Sequence, residues 1–159
     1  MRTNSILLCL WVGLAAATTA DATQVRQLSL EQLGAAASDV VRGRVATAQS
    51  FWNTEHTKIY TEIVLEAEEA FKGAATGTLR ILQLGGTVDG VRVTVHGALG
   101  WTPGEEVLVF LERFHDGRFV VSGLSQGKFS IVRDPASGEA FVTRLPLTAI
   151  ELVDADGRK

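Results

Sequence analysis

The sequence predicts an all-β fold with one short helix, arranged as a small barrel or sandwich. About eight short runs of β-prone residues are separated by turn signals roughly every 8 to 12 residues, a spacing typical of such folds. The longest run, residues 59–73, alternates as a half-buried strand does. Gly43 lies inside the run before it and predicts the bulge or sharp bend that a strongly coiled small barrel needs.

The N-terminus has the pattern of a cleavable secretory signal. Arg2 gives it a basic start, residues 6–17 form an apolar core too short to cross a bilayer, and residues 20–22 give an Ala-x-Ala end. We expect cleavage after Ala22, with Ala20 as the alternative, and therefore a secreted or periplasmic protein.

The composition limits the partners of the exported part. Cys9, the only cysteine of the chain, lies in the signal, so the exported part must rest on its apolar core rather than on disulfides. The chain has 15 basic and 18 acidic residues, a net charge of −3. This balance disfavours nucleic acid, and no later apolar segment is long enough for membrane insertion. We expect a signal peptide over residues 1–22, a single β-barrel domain over residues 23–153 and a flexible tail over residues 154–159.

A short helix precedes the strands. Ser29 and Gln32 match a capping box, in which the serine hydroxyl accepts from the backbone N–H of Gln32 and the Gln32 side chain reaches back. Apolar residues follow at helical spacing, at Leu30, Leu33 and Ala37. We therefore expect a helix over residues 29–38 that covers one end of the sheet.

Two long strands follow, each with an apolar and a polar face. The apolar face of the first is Val41, Val45 and Phe51, and its polar face is Arg42, Arg44 and Ser50. The inward face of the second is Ile59, Thr61, Ile63, Leu65, Ala67 and Phe71, and its outward face is Tyr60, Glu62, Glu66 and Glu68. Such alternation indicates strands that are buried on one side.

Shorter elements complete the predicted sheet. The turn Asp89-Gly90 precedes alternating valines at positions 91, 93 and 95, which predicts a hairpin arm. Residues 97–104 form the longest loop, and residues 107–111 lack alternation, as a strand buried on both sides does. Further strands are expected at residues 79–84, 118–124, 127–133 and 140–144, and a last helical turn at a second capping box, Thr148 with Glu151.

Several patterns resemble catalytic or metal sites without the context such sites need. His56, His96 and His115 are expected in a polar loop, on the polar face of a strand and in a turn, without the spacing of zinc ligands. Residues 123–127 read Gly-x-Ser-x-Gly, but a strand follows instead of a helix and no histidine comes later. Of the acidic cluster, Glu62, Glu66 and Glu68 are expected on the solvated face of a strand, whereas Glu69 has inward parity and a bulge could turn it outward. We expect no metal, no cofactor and no enzymatic activity.

Trp52 and Trp101 are the tryptophans of the exported part, and both are expected in loops. Exposed aromatic residues in loops anchor protein partners, whereas partly buried ones plug the end of a barrel. The sequence leaves both roles open.

Two stretches resemble the netrin-like domain of the tissue inhibitors of metalloproteinases. Residues 39–45, Asp-Val-Val-Arg-Gly-Arg-Val, match the first strand of that family, and residues 60–73, which end in Phe-Lys-Gly, match its long second strand. Residues 104–111 are similar to a later strand. The chain also resembles short exported bacterial proteins of unassigned function that carry Leu84-Gly85-Gly86, Gly104-Glu105-Glu106 and Gln126-Gly127-Lys128-Phe129 in this order.

The resemblance implies an OB-type barrel of five strands that binds another exported protein, with a metalloprotease as the implied partner. Those inhibitors reach the protease zinc through an N-terminal cysteine, and residues 23–159 contain no cysteine, so no inhibitory residue is carried over. The contact surface would then include Thr23, Gln24 and Val25 at the freed N-terminus, with Trp52 and Trp101. The alternatives are a small envelope scaffold whose strand edges recruit an extended peptide, and an enzyme.

Overall fold

The computed structural model describes residues 24–144 and 151–153, and this part of the chain is mostly β. The strands are β1 (Gln24–Arg26), β2 (Asp39–Trp52), β3 (Ile59–Lys72), β4 (Gly77–Leu84), β5 (Gly86–Val88), β6 (Val91–Val93), β7 (Glu106–Arg113), β8 (Phe119–Val121), β9 (Lys128–Arg133), β10 (Ala140–Thr143) and β11 (Glu151–Val153). Helix α1 spans Leu30–Ala36, and a 3₁₀ turn spans Leu124–Gly127. The predicted all-β class with a minor helix is confirmed.

Five strands close into a barrel. β2 pairs with β3 and β7, and β3 pairs with β4, all antiparallel. β4 then meets β8 in parallel at Ile81 and Phe119, and β8 pairs with the end of β7, which closes the ring. The resulting order, β7-β2-β3-β4-β8, is that of an OB-like barrel.

The remaining strands extend or flank the barrel. β9 and β10 continue the sheet from β7 as an antiparallel hairpin. β5 and β6 form the predicted hairpin arm. β1 pairs in parallel with β11, which brings the two ends of the described chain together.

Irregular pairing bends β2 against β3. The register shifts between Val40 and Val41, between Arg42 and Gly43, and between Val45 and Thr47. The predicted bulge at Gly43 is confirmed, and its cause is steric. A Cβ atom at Gly43 would lie 2.3 Å from the carbonyl oxygen of Glu66, so the two strands can approach this closely only at a glycine.

Two apolar clusters hold the fold together. The larger lies inside the barrel and includes Val41, Val45, Ile63, Leu65, Ile81, Val107, Val109 and Leu111. The smaller lies under α1, where Leu33 and Ala37 pack on Val40 and Phe110. The predicted capping box is present, with the Ser29 hydroxyl accepting from the Gln32 N–H at 3.2 Å and Gln32 Oε1 accepting from the Ser29 N–H at 2.9 Å.

Two phenylalanines that alternation assigns to the barrel interior are exposed on the surface instead. Phe51 is 40 % exposed and Phe71 is 60 % exposed. The shifts in β2 reverse its inward parity before Phe51, and Phe71 is itself skipped in the pairing with β2. β4 also starts opposite Ala67, so the end of β3 extends past the barrel and has no interior to face.

Some element boundaries also differ from the predictions. The strand expected at 118–124 ends at Val121, because Gly123 and Leu124 take positive φ values of 67° and 56° and turn the chain. His96 lies in a turn after β6 rather than on a strand. Glu151 belongs to β11 instead of a helical turn. Thr148 and residues 154–159 lie outside the described residues.

Candidate functional site: an apolar row and groove on the barrel wall

An apolar row crosses the outer face of β2, β3 and β4. Phe51 is paired with Tyr60, and Tyr60 with Leu84, so these three side chains stand side by side on one face. The ring centroids of Phe51 and Tyr60 are 6.3 Å apart, and Leu84 is 42 % exposed. The neighbouring Ile59 points the other way and is fully buried. Phe51, Tyr60 and Leu84 are termed the apolar row.

The row leads into a groove between β4 and β8. These strands share a single paired position, Ile81 with Phe119, and beyond it they separate. The gap has a volume of about 150 Å³ and is lined almost entirely by apolar groups. Its walls include Leu82, Leu84, Val95, Leu99, Val120 and Leu124. This gap is termed the apolar groove, and Leu84 belongs to both features.

Leu124 borders the groove on a strained backbone. Its φ of 56° lies in the left-handed region, which costs a non-glycine residue about 1 kcal/mol. Its side chain is nevertheless 47 % exposed. Leu124 therefore has a strained backbone and a side chain that is only partly buried, so fold stability alone does not explain a leucine at this position. This makes Leu124 a candidate contact for a partner.

Gln83 fixes the opposite wall. Its Nε2 donates to the Leu99 carbonyl oxygen at 3.0 Å, and its Oε1 accepts from the Leu99 N–H at 3.0 Å. The Trp101 Nε1–H donates to the same Oε1 at 3.1 Å. The Gln83 side chain thus satisfies the loop backbone as a neighbouring strand would, and the groove wall is in place before any partner arrives.

A buried ion pair holds the other end of this loop. Lys128 Nζ donates to Glu105 Oε2 at 2.8 Å and to the Gly100 carbonyl oxygen at 2.7 Å, and it lies 4.7 Å from the Trp101 ring centroid. Burial by itself raises the pKa of Glu105, but hydrogen bonds from Lys128 and Ser130 and the charge of Lys128 outweigh it, so that pKa is below its ordinary value. The loop before β7 is therefore anchored at two points.

The structure gives the two candidate tryptophans different surroundings. Trp101 lies in the predicted loop and packs on the interior cluster. Trp52 is the last residue of β2 instead of lying in the predicted loop, is paired with the buried Ile59 and stacks on His56 with ring centroids 6.0 Å apart. The position of Trp101 is that of a residue that plugs a barrel end, and partner contact by either tryptophan stays a prediction.

The predicted N-terminal contact residues are described in part. Gln24 and Val25 belong to β1 and are paired with Glu151 and Leu152. Thr23 lies outside the described residues. Their role in binding stays a prediction.

The Gly-x-Ser-x-Gly stretch forms the 3₁₀ turn before β9. Ser125 is buried, and its hydroxyl has no hydrogen-bond partner within residues 24–144 and 151–153. A serine nucleophile needs a base within hydrogen-bond reach, and the described chain supplies none. The same residues contain no group of three or more His, Cys, Asp or Glu that could hold a metal ion.

Glu62, Glu66 and Glu68 lie on the outer face of β3, as predicted, and arginines neutralise much of the acidic cluster. Glu69, which alternation gives inward parity, is exposed as well, because the pairing shifts between Arg42 and Gly43. Arg80 lies 2.9 Å from Glu62, and Arg42 lies 3.3 Å from Glu68 and 3.4 Å from Glu69. Glu66 accepts a hydrogen bond from the Thr78 hydroxyl. The carboxylates therefore form part of a charged surface network rather than a buried acid–base pair.

The apolar row is not predicted from the sequence, because alternation assigns Phe51 to the inner face of β2. Tyr60 is assigned correctly to the outer face of β3, but the row exists only once the registers of β2, β3 and β4 are known. Gly43 signals one bulge in β2, and nothing in the sequence marks the shift between Val45 and Thr47. That later shift is what turns Phe51 outward.

Comparisons with protein-family models, curated proteins and solved structures give no match. Within the described residues, no helix has both the length and the apolar character needed to span a membrane. The strand order and its closure through β4 and β8 are thus what define the fold as an OB-like barrel.

Proposed function

We propose that the protein is an exported, non-catalytic binding module that engages another exported protein through the apolar row. The observation that carries this proposal is the row itself, two aromatic side chains and a leucine side by side on the barrel surface. Aromatic anchors of this kind dominate the energetics of protein interfaces. The interior of the barrel is already filled by side chains of the opposite parity.

The position and charge of the row support a protein partner. OB barrels bind their ligands on the face of the second and third barrel strands, which are β3 and β4 here. This face carries Glu62 and Glu66 together with Arg80, a mixed set of charges. Single-stranded nucleic acid requires a basic groove, which this mixture does not provide.

A metalloprotease is the specific partner that we propose, and the support is the resemblance in β2 and β3. Two residues of these resembling stretches, Gly43 and Lys72, have structural roles in the fold. Gly43 allows close strand contact, and Lys72 donates to the carbonyl oxygens of Gly34 and Ala37 at 2.7 and 2.6 Å at the end of α1. Binding to a protease would then proceed through the barrel surface, without a cysteine ligand to its zinc. Export itself is proposed from the pattern of the N-terminal residues.

A second candidate, an envelope scaffold that recruits an extended peptide, is favoured by β10. In the described part of the chain this strand pairs only with β9, and Phe141 and Val142 are 52 % and 55 % exposed. Edge strands with exposed apolar side chains add further strands readily.

The two candidates are separated by a matched pair of variants. The row variant removes a cross-strand aromatic pair by the substitutions Phe51→Thr and Tyr60→Thr. The control variant removes a cross-strand apolar pair from β9 and β10 by the substitutions Val132→Thr and Phe141→Thr. Proteins retained from the exported fraction by residues 23–159 would be purified and titrated against all three forms. We expect the row variant to bind about thirtyfold more weakly, the loss typical of a hot spot, and the control to bind normally.

The reverse pattern, with only the control variant weakened, would support recruitment at β10, and equal binding by all three forms would contradict both candidates. Protease assays on the retained protein test the specific partner. Activity that falls at a one-to-one ratio supports a restrained metalloprotease. Activity that is unaffected by binding leaves a binding module with another partner.

A further inference from the structure

We infer that the apolar groove is a subsite for one Leu or Phe side chain of an extended partner segment, and that Glu112 selects a Lys or Arg close to that side chain. The inference rests on the proposed function, because it names the chemistry of the segment that the binding module recognises.

The size and lining of the groove indicate an apolar side chain. A cavity of about 150 Å³ with aliphatic walls is large enough for a benzene molecule, and therefore for a Phe ring or a Leu side chain. The walls present aliphatic groups from Leu82, Val95, Val120 and Leu124. A polar side chain placed there would lose its water without gaining hydrogen bonds.

Both sides of the groove are held in place by side-chain hydrogen bonds to backbone. Gln83 fixes Leu99 on one side, as described above. On the other side, the buried Gln126 fixes the 3₁₀ turn that carries Leu124, since its Oε1 accepts from the Leu28 N–H at 2.8 Å and its Nε2 donates to the Arg26 carbonyl oxygen at 2.9 Å. A preformed subsite binds with a smaller loss of conformational entropy.

The strand geometry favours an extended segment. Beyond Ile81 and Phe119, the facing edges of β4 and β8 have no strand partner in the described chain. An extended peptide can lie along such an edge and direct alternate side chains toward the barrel. One of these side chains would enter the groove.

The charge beside the groove indicates a basic neighbour. Glu112 is paired in register with the wall residue Val120, is exposed, and forms no salt bridge within the described residues. The nearby arginines are already engaged, Arg113 with Asp39 at 3.1 Å and Arg118 with Asp116 at 2.6 Å. Glu62, on the β4 side, is paired with Arg80. Glu112 is therefore the carboxylate available to a cation of the partner.

The test uses the full chain, expressed with its N-terminal segment, and three short acetylated and amidated peptides. The first carries Phe and, two positions later, Lys in a Ser/Thr host, the second replaces Phe by Ala, and the third replaces Lys by Glu. We expect the first peptide to shift the amide NMR signals of Leu82, Leu84, Val120 and Leu124. The second peptide should not bind, and the third should bind about tenfold more weakly.

Protein variants test the two contacts separately. Glu112→Lys should reverse the preference between the Lys and Glu peptides, while Glu139→Lys, an exposed glutamate in the turn before β10, should leave it unchanged. Leu124→Asn should weaken binding about tenfold while the melting temperature is maintained or rises, because Asn adopts positive φ more readily than Leu. A purely structural Leu124 would show the opposite, with lower stability and unchanged binding.

The inference is overturned if no peptide binds, if the Ala peptide binds as well as the Phe peptide, or if Glu112→Lys leaves the preference unchanged. None of these results affects the partner titrations with the row variant, which alters Phe51 and Tyr60 and leaves the groove walls intact. Failure of the subsite and failure of the binding module are therefore distinguishable.

Discussion

Gly43 shows how one residue sets the curvature of the barrel. The nearest atom to a side chain at this position would be a backbone oxygen, Glu66 O at 2.3 Å, which cannot rotate away. Gly34 in α1 is the opposite case, since a methyl group there would meet no atom outside its own helix within 4 Å. The lack of a side chain is therefore a steric requirement at Gly43 but not at Gly34.

We expect Gly43→Ala to lower the free energy of unfolding by about 2 to 3 kcal/mol, because β2 and β3 must move apart. Gly34→Ala should raise it by about 0.5 to 1 kcal/mol, because alanine is the better helix former. Urea denaturation of both variants measures the difference. Two changes of the same sign would contradict the steric explanation.

Glu105 links the stability of the barrel to pH. Its pKa in the folded protein is below the ordinary value of 4.5, so the stabilisation is fully present above about pH 4.5 and is lost as the pH falls through the lowered pKa. Asp39 acts in the same direction, since hydrogen bonds from Ser38 and Arg113 outweigh the effect of its burial and lower its pKa. Acid should therefore destabilise the fold.

We expect Glu105→Gln to lower the free energy of unfolding by about 3 kcal/mol at neutral pH, because Lys128, whose side chain is 3 % exposed, loses its counter-ion. The gap between variant and wild type should narrow as the pH falls through the lowered pKa of Glu105, because the wild-type carboxyl then becomes protonated as well. Urea denaturation at neutral pH and at a descending series of acidic pH values measures this gap. Glu139→Gln, at an exposed position, is the control and should behave as wild type. A gap that does not change with pH would contradict the ion-pair account.

At the scale of elements, α1 is stabilised by its cap and by one buried side chain. Leu33 is fully buried against β2 and β7, whereas Leu30, three residues earlier, is 58 % exposed. We expect Leu33→Ala to lower the free energy of unfolding by about 3 kcal/mol and Leu30→Ala to change it by less than about 0.5 kcal/mol. Thermal or urea denaturation checks both values. Equal losses would mean that α1 does not cover the core as the structure shows.

Local sequence patterns predict most elements, because most elements have local causes. The capping box of Ser29 and Gln32 and the hairpin turn at Asp89 depend on residues within a few positions, and both are present. The end of the strand after Phe119 is not predicted, because it depends on Gly123, where a Cβ atom would lie 2.7 Å from Leu33 Cδ2. That contact joins residues distant in the sequence, so no local pattern reveals it.

At the scale of the whole molecule, closure of the barrel decides where the candidate site lies. β4 and β8 are brought together by the Ile81–Phe119 pair, and the same separation of these strands beyond it opens the groove. The sequence predicts the number and class of the strands, since alternation is readable along the chain. It does not predict this parallel contact, because pairing between distant strands leaves no periodic signal. The apolar row depends on the β2–β3 and the β3–β4 register together, so it is not predicted from the sequence for the same reason.

The apolar row is the surface on which we propose that a partner protein lies. The most direct measurement places the photo-crosslinking residue benzoylphenylalanine at Phe51 and, in a separate protein, at Phe141, and irradiates each in the exported fraction. Both positions are phenylalanines of similar exposure, 40 % and 52 %, on different parts of the surface. We expect a discrete crosslinked partner from position 51 and none from position 141. A partner captured from position 141 alone, or from neither position, would contradict it.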